Sequence, residues 1–182
     1  LHQEWYRATI AHNTVAVDGK NQNTKDGKFE EWSDTPEGAR LSASADDVYP
    51  GVSLRRTLDL KPDGTLRDRF ECASSSEHVY DWAFHAPGAL TSSLTFQPRP
   101  EGAGKENGYQ HIKEVAAAET SEAFWVRWTQ GAATLTLEFR PAPGTEVICA
   151  VAPGRDPAER VPMVLVRRKA ARTAFDVTHR VR

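Results

Sequence analysis

The sequence predicts an all-β chain: a two-sheet antiparallel β-sandwich of about ten or more strands. Three observations predict it. Apolar and polar residues alternate with a period of two in run after run. Turn-forming residues separate those runs at short intervals. Only "IKEVAAAETSEA" has the composition of a helix.

Taken in order, "YRATIAHNTVAVDG" is an alternating stretch interrupted at His12-Asn13. Beyond the interruption Val15 and Val17 share one face, and the strand ends at an Asp18-Gly19 turn. The polar run "FEEWSD" reads as a solvated loop that leaves Trp32 outside the core. "GVSLRRTLDL" and "TLRDRFECA" flank Pro62-Asp63-Gly64 and form a hairpin. "HVYDWAF" puts Tyr80, Trp82 and Phe84 on one face and Val79, Asp81, Ala83 and His85 on the other. Gln97 to Gly108, rich in Gly and Pro, reads as a longer exposed loop. "EAFWVRW" and "TLTLEFR" pair through Gln130-Gly131. "EVICAVAPG", "PMVLVRR" and "RTAFDVTH" supply three closing strands. The whole of 1–182 reads as one sandwich domain.

The bulk properties narrow the function. A chain of 182 residues with 39% hydrophobic and 26% charged residues can bury one sizeable core. A net charge of -2 gives no overall field for nucleic acid. The pairs Arg55-Arg56 and Arg167-Arg168 read as solvated strand faces. No stretch approaches the roughly 20 apolar residues of a membrane helix. The chain opens on "LHQEWYRA", with no apolar leader core, and is already patterned there. It therefore reads as a segment of a longer polypeptide. Cys72 and Cys149 have no metal-type spacing; two separate buried thiols and a single disulfide both fit the sequence.

Chemistry is sparse along the chain. The histidines, aspartates and glutamates have no metal-ligand spacing, and no metal site is expected. "SASADD" and "CASSSEH" lack the glycine-flanked elbow of a nucleophilic serine. His85 and Asp81 share a strand face, as an acid/base pair would, although ordinary hydrogen bonding explains them better. His12 is the leading candidate. A histidine held by a rigid strand beside a loop suits an imidazole that must move protons. Asn13 adds a carboxamide that bonds a substrate or pins the local backbone.

"AHNTVAVDGKNQ" resembles the motif that opens the C-terminal β-sandwich of the heparinase II/III-like polysaccharide lyases, which include exolytic alginate lyases. "VYPGVSLRRTLDL", "HVYDWAFHAPG" and "MVLVRRKAARTAFDV" resemble later strands of that domain, in the same order. The resemblance implies a sandwich paired with an N-terminal α-helical toroid of the same chain, here absent, with the active cleft between them. It implies β-elimination on an anionic, uronate-containing polysaccharide, in a periplasmic or secreted setting. His12 then matches the histidine that enters the cleft. Arg7, Asn13, Arg55, Arg56 and Trp32 are the expected substrate contacts. Zinc occurs in several members, but Asn13-Thr14 and Leu54 stand where its histidines would be, so no cofactor is expected. The rival reading is a non-catalytic carbohydrate-binding or structural sandwich, with Trp32 as the sugar-stacking residue.

Overall fold

Alternation and turn chemistry are realised as twelve strands in a computed structural model that describes every residue from Leu1 to Arg182. Two of the strands are much longer than the sequence reading allowed. "TLRDRFECA" and "HVYDWAF" are one strand, β5 (Leu66–His85), and the last two runs are another, β12 (Arg160–Val181). They pair antiparallel from Met163 opposite His85 to His179 opposite Leu66, with one irregularity between Ala170 and Arg172. Each passes through both layers and so joins them.

The first sheet runs β2 (Lys28–Thr35), β3 (Gly38–Tyr49), β4 (Val52–Leu60), the start of β5, the end of β12, β10 (Ala133–Phe139), β9 (Phe124–Gln130) and β6 (Ala89–Ser92). The second holds β1 (Val15–Val17), the end of β5, the start of β12, β11 (Thr145–Pro153), β8 (Lys113–Thr120) and β7 (Gln97–Pro98). All pairs are antiparallel. Between the sheets lie Val15, Val17, Tyr80, Trp82, Phe70, Phe175, Val126 and Leu137, all buried. The predicted alternation of Tyr80 and Trp82 against Asp81 and Ala83 therefore holds, because the two sets line opposite faces of the second sheet.

That other face is also covered. Trp5, Ala8 and Ile10 come from the first eleven residues, which form two short helical turns, His2–Tyr6 and Thr9–Ala11, and no strand. Ala103 comes from the stretch expected to be an exposed loop, and Tyr109 and Ile112 from the residues just after it. That loop is instead bound to the sheet. Arg167, opposite Asp81 in the β5–β12 ladder, holds its carboxylate with two bonds of 2.7 and 2.9 Å and also donates to the Ala103 carbonyl. The Tyr109 hydroxyl donates to the same carboxylate. Burial, and then the neighbouring Asp81 charge, push the Tyr109 phenol far up, which keeps it a donor. Arg99 reaches Glu146 at 2.6 Å. At Gly108, with φ of +99°, a side chain would strike Ala8 and Ile10, so only glycine lets the loop close on the N-terminal turn.

Other sequence expectations are corrected. "IKEVAAAETSEA" is not a helix: its alanines form strand β8, paired with β11, because the contact with Val147 and Ile148 outweighs helix propensity. "FEEWSD" is strand β2, not a loop; as an exposed edge it needs no apolar face. Arg167 and Arg168 are not a solvated face, for Arg168 is buried and bonded to Thr145 and the Ala174 carbonyl. Both cysteines are free thiols, and burial pushes each up to about 12. No helix is long and apolar enough to cross a membrane.

Two outcomes follow for stability. Arg167→Met strands the Asp81 carboxylate inside the protein and should cost about 3–5 kcal/mol in urea unfolding; an unchanged midpoint would mean the pair is not what fastens the loop. Burial, with the nearby His12 charge adding to it, lowers His85 from 6.5 to about 4. The unfolded chain then takes up a proton that the folded one refuses, so His85's contribution is complete above pH 6.5 and is lost as pH falls towards 4. Melting temperatures recorded across that window should fall less steeply for His85→Asn than for the parent, and parallel curves would refute the assignment.

Candidate functional site

The interruption at His12-Asn13 is a change of direction with a physical cause. Ala8 and Ile10 are drawn into the second apolar cluster, and the Thr9–Ala11 turn brings the His12 N–H onto the Thr9 carbonyl at 3.1 Å. His12 is thereby turned outward, and its side chain is exposed and makes no hydrogen bond within the chain. The Thr14 N–H bonds the His12 carbonyl at 2.9 Å, after which β1 begins. Asp18 and Gly19 both adopt positive φ and reverse the chain. Asp18 is spent on that turn, accepting from the Val79 N–H and contacting His78 Nδ1 at 2.7 Å.

The returning segment is stitched back to the turn. The Thr9 N–H donates to Asn21 Oδ1 at 2.8 Å, and the Gln22 N–H donates to Thr9 Oγ1 at 2.9 Å. Between the two passes lies an open hollow of about 490 Å³ lined by Arg7, Thr9, His12, Thr14, Gln22, Asn23, Thr24 and Lys25. It contains three basic side chains and no carboxylate, in a protein whose net charge is negative. Such a recess favours an anion and offers hydroxyl and carboxamide groups to its neighbours.

Of the residues singled out in the sequence, the fold brings His12 and Arg7 together at this hollow. Arg7 also donates to Gln3 at 3.0 Å. Asn13 lies beside it with its carboxamide engaged, Oδ1 accepting from the His85 backbone N–H at 2.8 Å and lying 3.1 Å from His85 Nδ1. Arg56 stands behind, donating from Nη1 to the Asn13 carbonyl at 2.9 Å and from Nε and Nη2 to Asp68 at 2.9 and 2.6 Å. Asp68 is almost wholly buried; burial alone would raise it, but His179 and the Arg56 guanidinium outweigh that and hold it below the usual carboxylate range. Arg55 points to the other face of β4, where it pairs with Glu30 at 3.0 Å, and it does not join the group.

Trp32 is 59% exposed on edge strand β2, opposite Leu41 and on the same sheet face as exposed Phe29. That face continues through Ala43 to Arg56, two strands from Phe29 or about 10 Å at the usual strand spacing. Lys25 escaped sequence reasoning because "KNQNTKDGK" has no periodicity, and only the chain reversal sets it opposite His12.

Rival constellations are weaker. His85 and Asp81 do not pair, since Asp81 is taken by Arg167 and Tyr109 and His85 by Asn13. Ser76, His78 and Asp18 form a string with contacts of 3.2 and 2.7 Å, but none of the sizeable recesses is lined by any of them. No three His, Cys, Asp or Glu side chains form a metal-like cluster, and Leu54 is buried in the core. The donor set that the sequence resemblance associates with zinc does not fit around His12.

Comparison with known proteins places the fold. An alginate lyase from Stenotrophomonas maltophilia is 27% identical over 190 residues, covering 91% of this chain and 25% of the relative. The chain thus spans about a quarter of that protein's length. The heparan sulfate lyase HepC from Pedobacter heparinus superposes with a TM-score of 0.70 at 12% identity, over 97% of this chain and 25% of that one. A heparinase III superposes with a TM-score of 0.64 at 15% identity, over 97% and 24%. At these identities the two structures share the fold. The family described as Heparinase II/III-like, C-terminal matches residues 2–149, which is most of the sandwich including the His12 hollow, and the chain belongs to that family.

Proposed function

We propose that this domain forms one wall of a polysaccharide lyase cleft, cutting anionic, uronate-containing glycans by β-elimination. The observation that carries the reading is the hollow itself: His12, Arg7 and Lys25 line one recess, and no carboxylate lines it. The other wall is the helical toroid of the same polypeptide, so this segment alone is inactive. The setting is periplasmic or secreted, where such polymers occur.

The chemistry sets what the residues must do. The C5–H of a uronate becomes acidic only when the adjacent carboxylate is neutralised, since negative charge accumulates there as the proton leaves. Arg7 and Lys25 supply that positive field. His12, with an unbonded ring at the rim, takes the C5 proton or steadies the carboxylate beside it; imidazole suits either role near neutral pH. As the C5–H bond breaks, the C4–O4 bond breaks, a C4–C5 double bond forms, and the departing oxygen receives a proton. No water is consumed.

A carbohydrate-binding reading draws on the exposed Trp32 and Phe29, which share one face of the first sheet. It predicts oligosaccharide affinity that survives His12→Ala and falls with Trp32→Ala.

The complete encoded polypeptide, offered alginate, heparan, chondroitin and hyaluronan, should generate the ultraviolet absorbance of an unsaturated uronate on at least one of them. His12→Ala should reduce that rate by about 10²–10⁴-fold, the range for loss of a general acid or base. Full activity in the variant would remove His12 from catalysis. Silence of the folded parent on every polymer would sink the lyase reading.

A further inference from the structure

We propose that His85 is a positioning residue for His12, acting through Asn13; the inference rests on the lyase reading above. Asn13 Oδ1 meets two groups of His85, the backbone N–H at 2.8 Å and ring Nδ1 at 3.1 Å. A carboxamide oxygen accepts and cannot donate, so the network assigns the ring proton to Nδ1. The remaining nitrogen, Nε2, is buried without a partner, in a ring packed against the edge of Trp5 at 6.0 Å. A charged imidazolium would leave a donor unbonded there, and burial accordingly keeps the ring neutral down to about pH 4. The His85 ring is therefore a neutral, fixed donor to Asn13 above about pH 4.

The other side of Asn13 is fixed too. Its carbonyl accepts from Arg56, which is locked by two bonds to buried Asp68. The His12 N–H and carbonyl are both used, by Thr9 and Thr14. These bonds, together with the anchoring of the Asn13 side chain on His85, fix the segment from which the exposed His12 ring projects, and His85 thereby sets where that ring starts. A proton-transferring group misplaced by about 1 Å costs rate more than binding. Arg7 and Lys25, which hold the anion, have no hydrogen bond to His85 or Asn13: Arg7 bonds Gln3, and Lys25 lies on the returning segment.

The test uses the full-length polypeptide and the polymer the parent cleaves. His85→Leu removes the Nδ1 donor, whereas His85→Asn places an amide N–H near the same point. The leucine variant should lose at least about tenfold in kcat, with KM within about twofold, and the asparagine variant should recover most of the loss. A leucine variant with parental kcat would overturn the proposal, as would equal losses in both variants. Crystal structures of parent and variants separate this from failure of the lyase reading. Should the parent cut nothing, a His12–Thr14 segment displaced by leucine and restored by asparagine still upholds the positioning role, and an unmoved segment refutes it.

Discussion

One ladder governs this domain: the antiparallel pairing of β5 with β12 through both sheets. Because each strand continues from one layer into the other, the sandwich is closed along this seam by backbone hydrogen bonds and not by side-chain packing alone. The seam also carries the Asp81–Arg167 rung, whose charges face away from the core between the sheets. An ion pair whose carboxylate is buried returns little net stability, but it cannot be broken cheaply. It holds the 99–112 loop and, through Tyr109 and Gly108, the N-terminal turns against the second sheet.

The same strand supports the candidate site from two directions. Asp68, near the start of β5, fixes Arg56, and His85, at its end, fixes Asn13. Both supports converge on Asn13, two residues before β1. The exposed histidine thus stands on a segment held by each sheet, although its side chain makes no hydrogen bond of its own. Charge is divided in the same way. Most arginines of the first sheet's outer face are matched by carboxylates, as Arg40 is by Asp59 and Arg67 by Asp176, while the His12 hollow has basic groups with none opposite.

Much of the fold was legible in the sequence. Alternation depends on which side of a pleat meets the core, so Phe124, Val126 and Trp128, or Leu135, Leu137 and Phe139, announced their strands directly. The Pro62-Asp63-Gly64 and Gln130-Gly131 turns are equally local, since their residues set the backbone angles. Local pattern failed where partners decide. The alanines of β8 are strand because β11 lies beside them, and β2 is strand because β3 offers an edge. Continuity of β5 through Ser74–Glu77 has no signature either, because a serine-rich stretch reads as a turn until a paired neighbour carries it across.

For the site, the sequence by itself determined that His12-Asn13 breaks a pattern and that the surrounding block is that of a lyase sandwich; both are properties of residue order. Only the tertiary structure decided what each neighbour does. Arg55 and Arg56 are adjacent in sequence, yet a pleated strand sends them to opposite faces, one to a surface ion pair and the other to the Asn13 carbonyl. Lys25 and His85 lie 13 and 73 positions beyond His12 in the chain. They reach its neighbourhood only because the Asp18-Gly19 reversal and the β1–β5 pairing bring them back, and separation in sequence carries no record of that return.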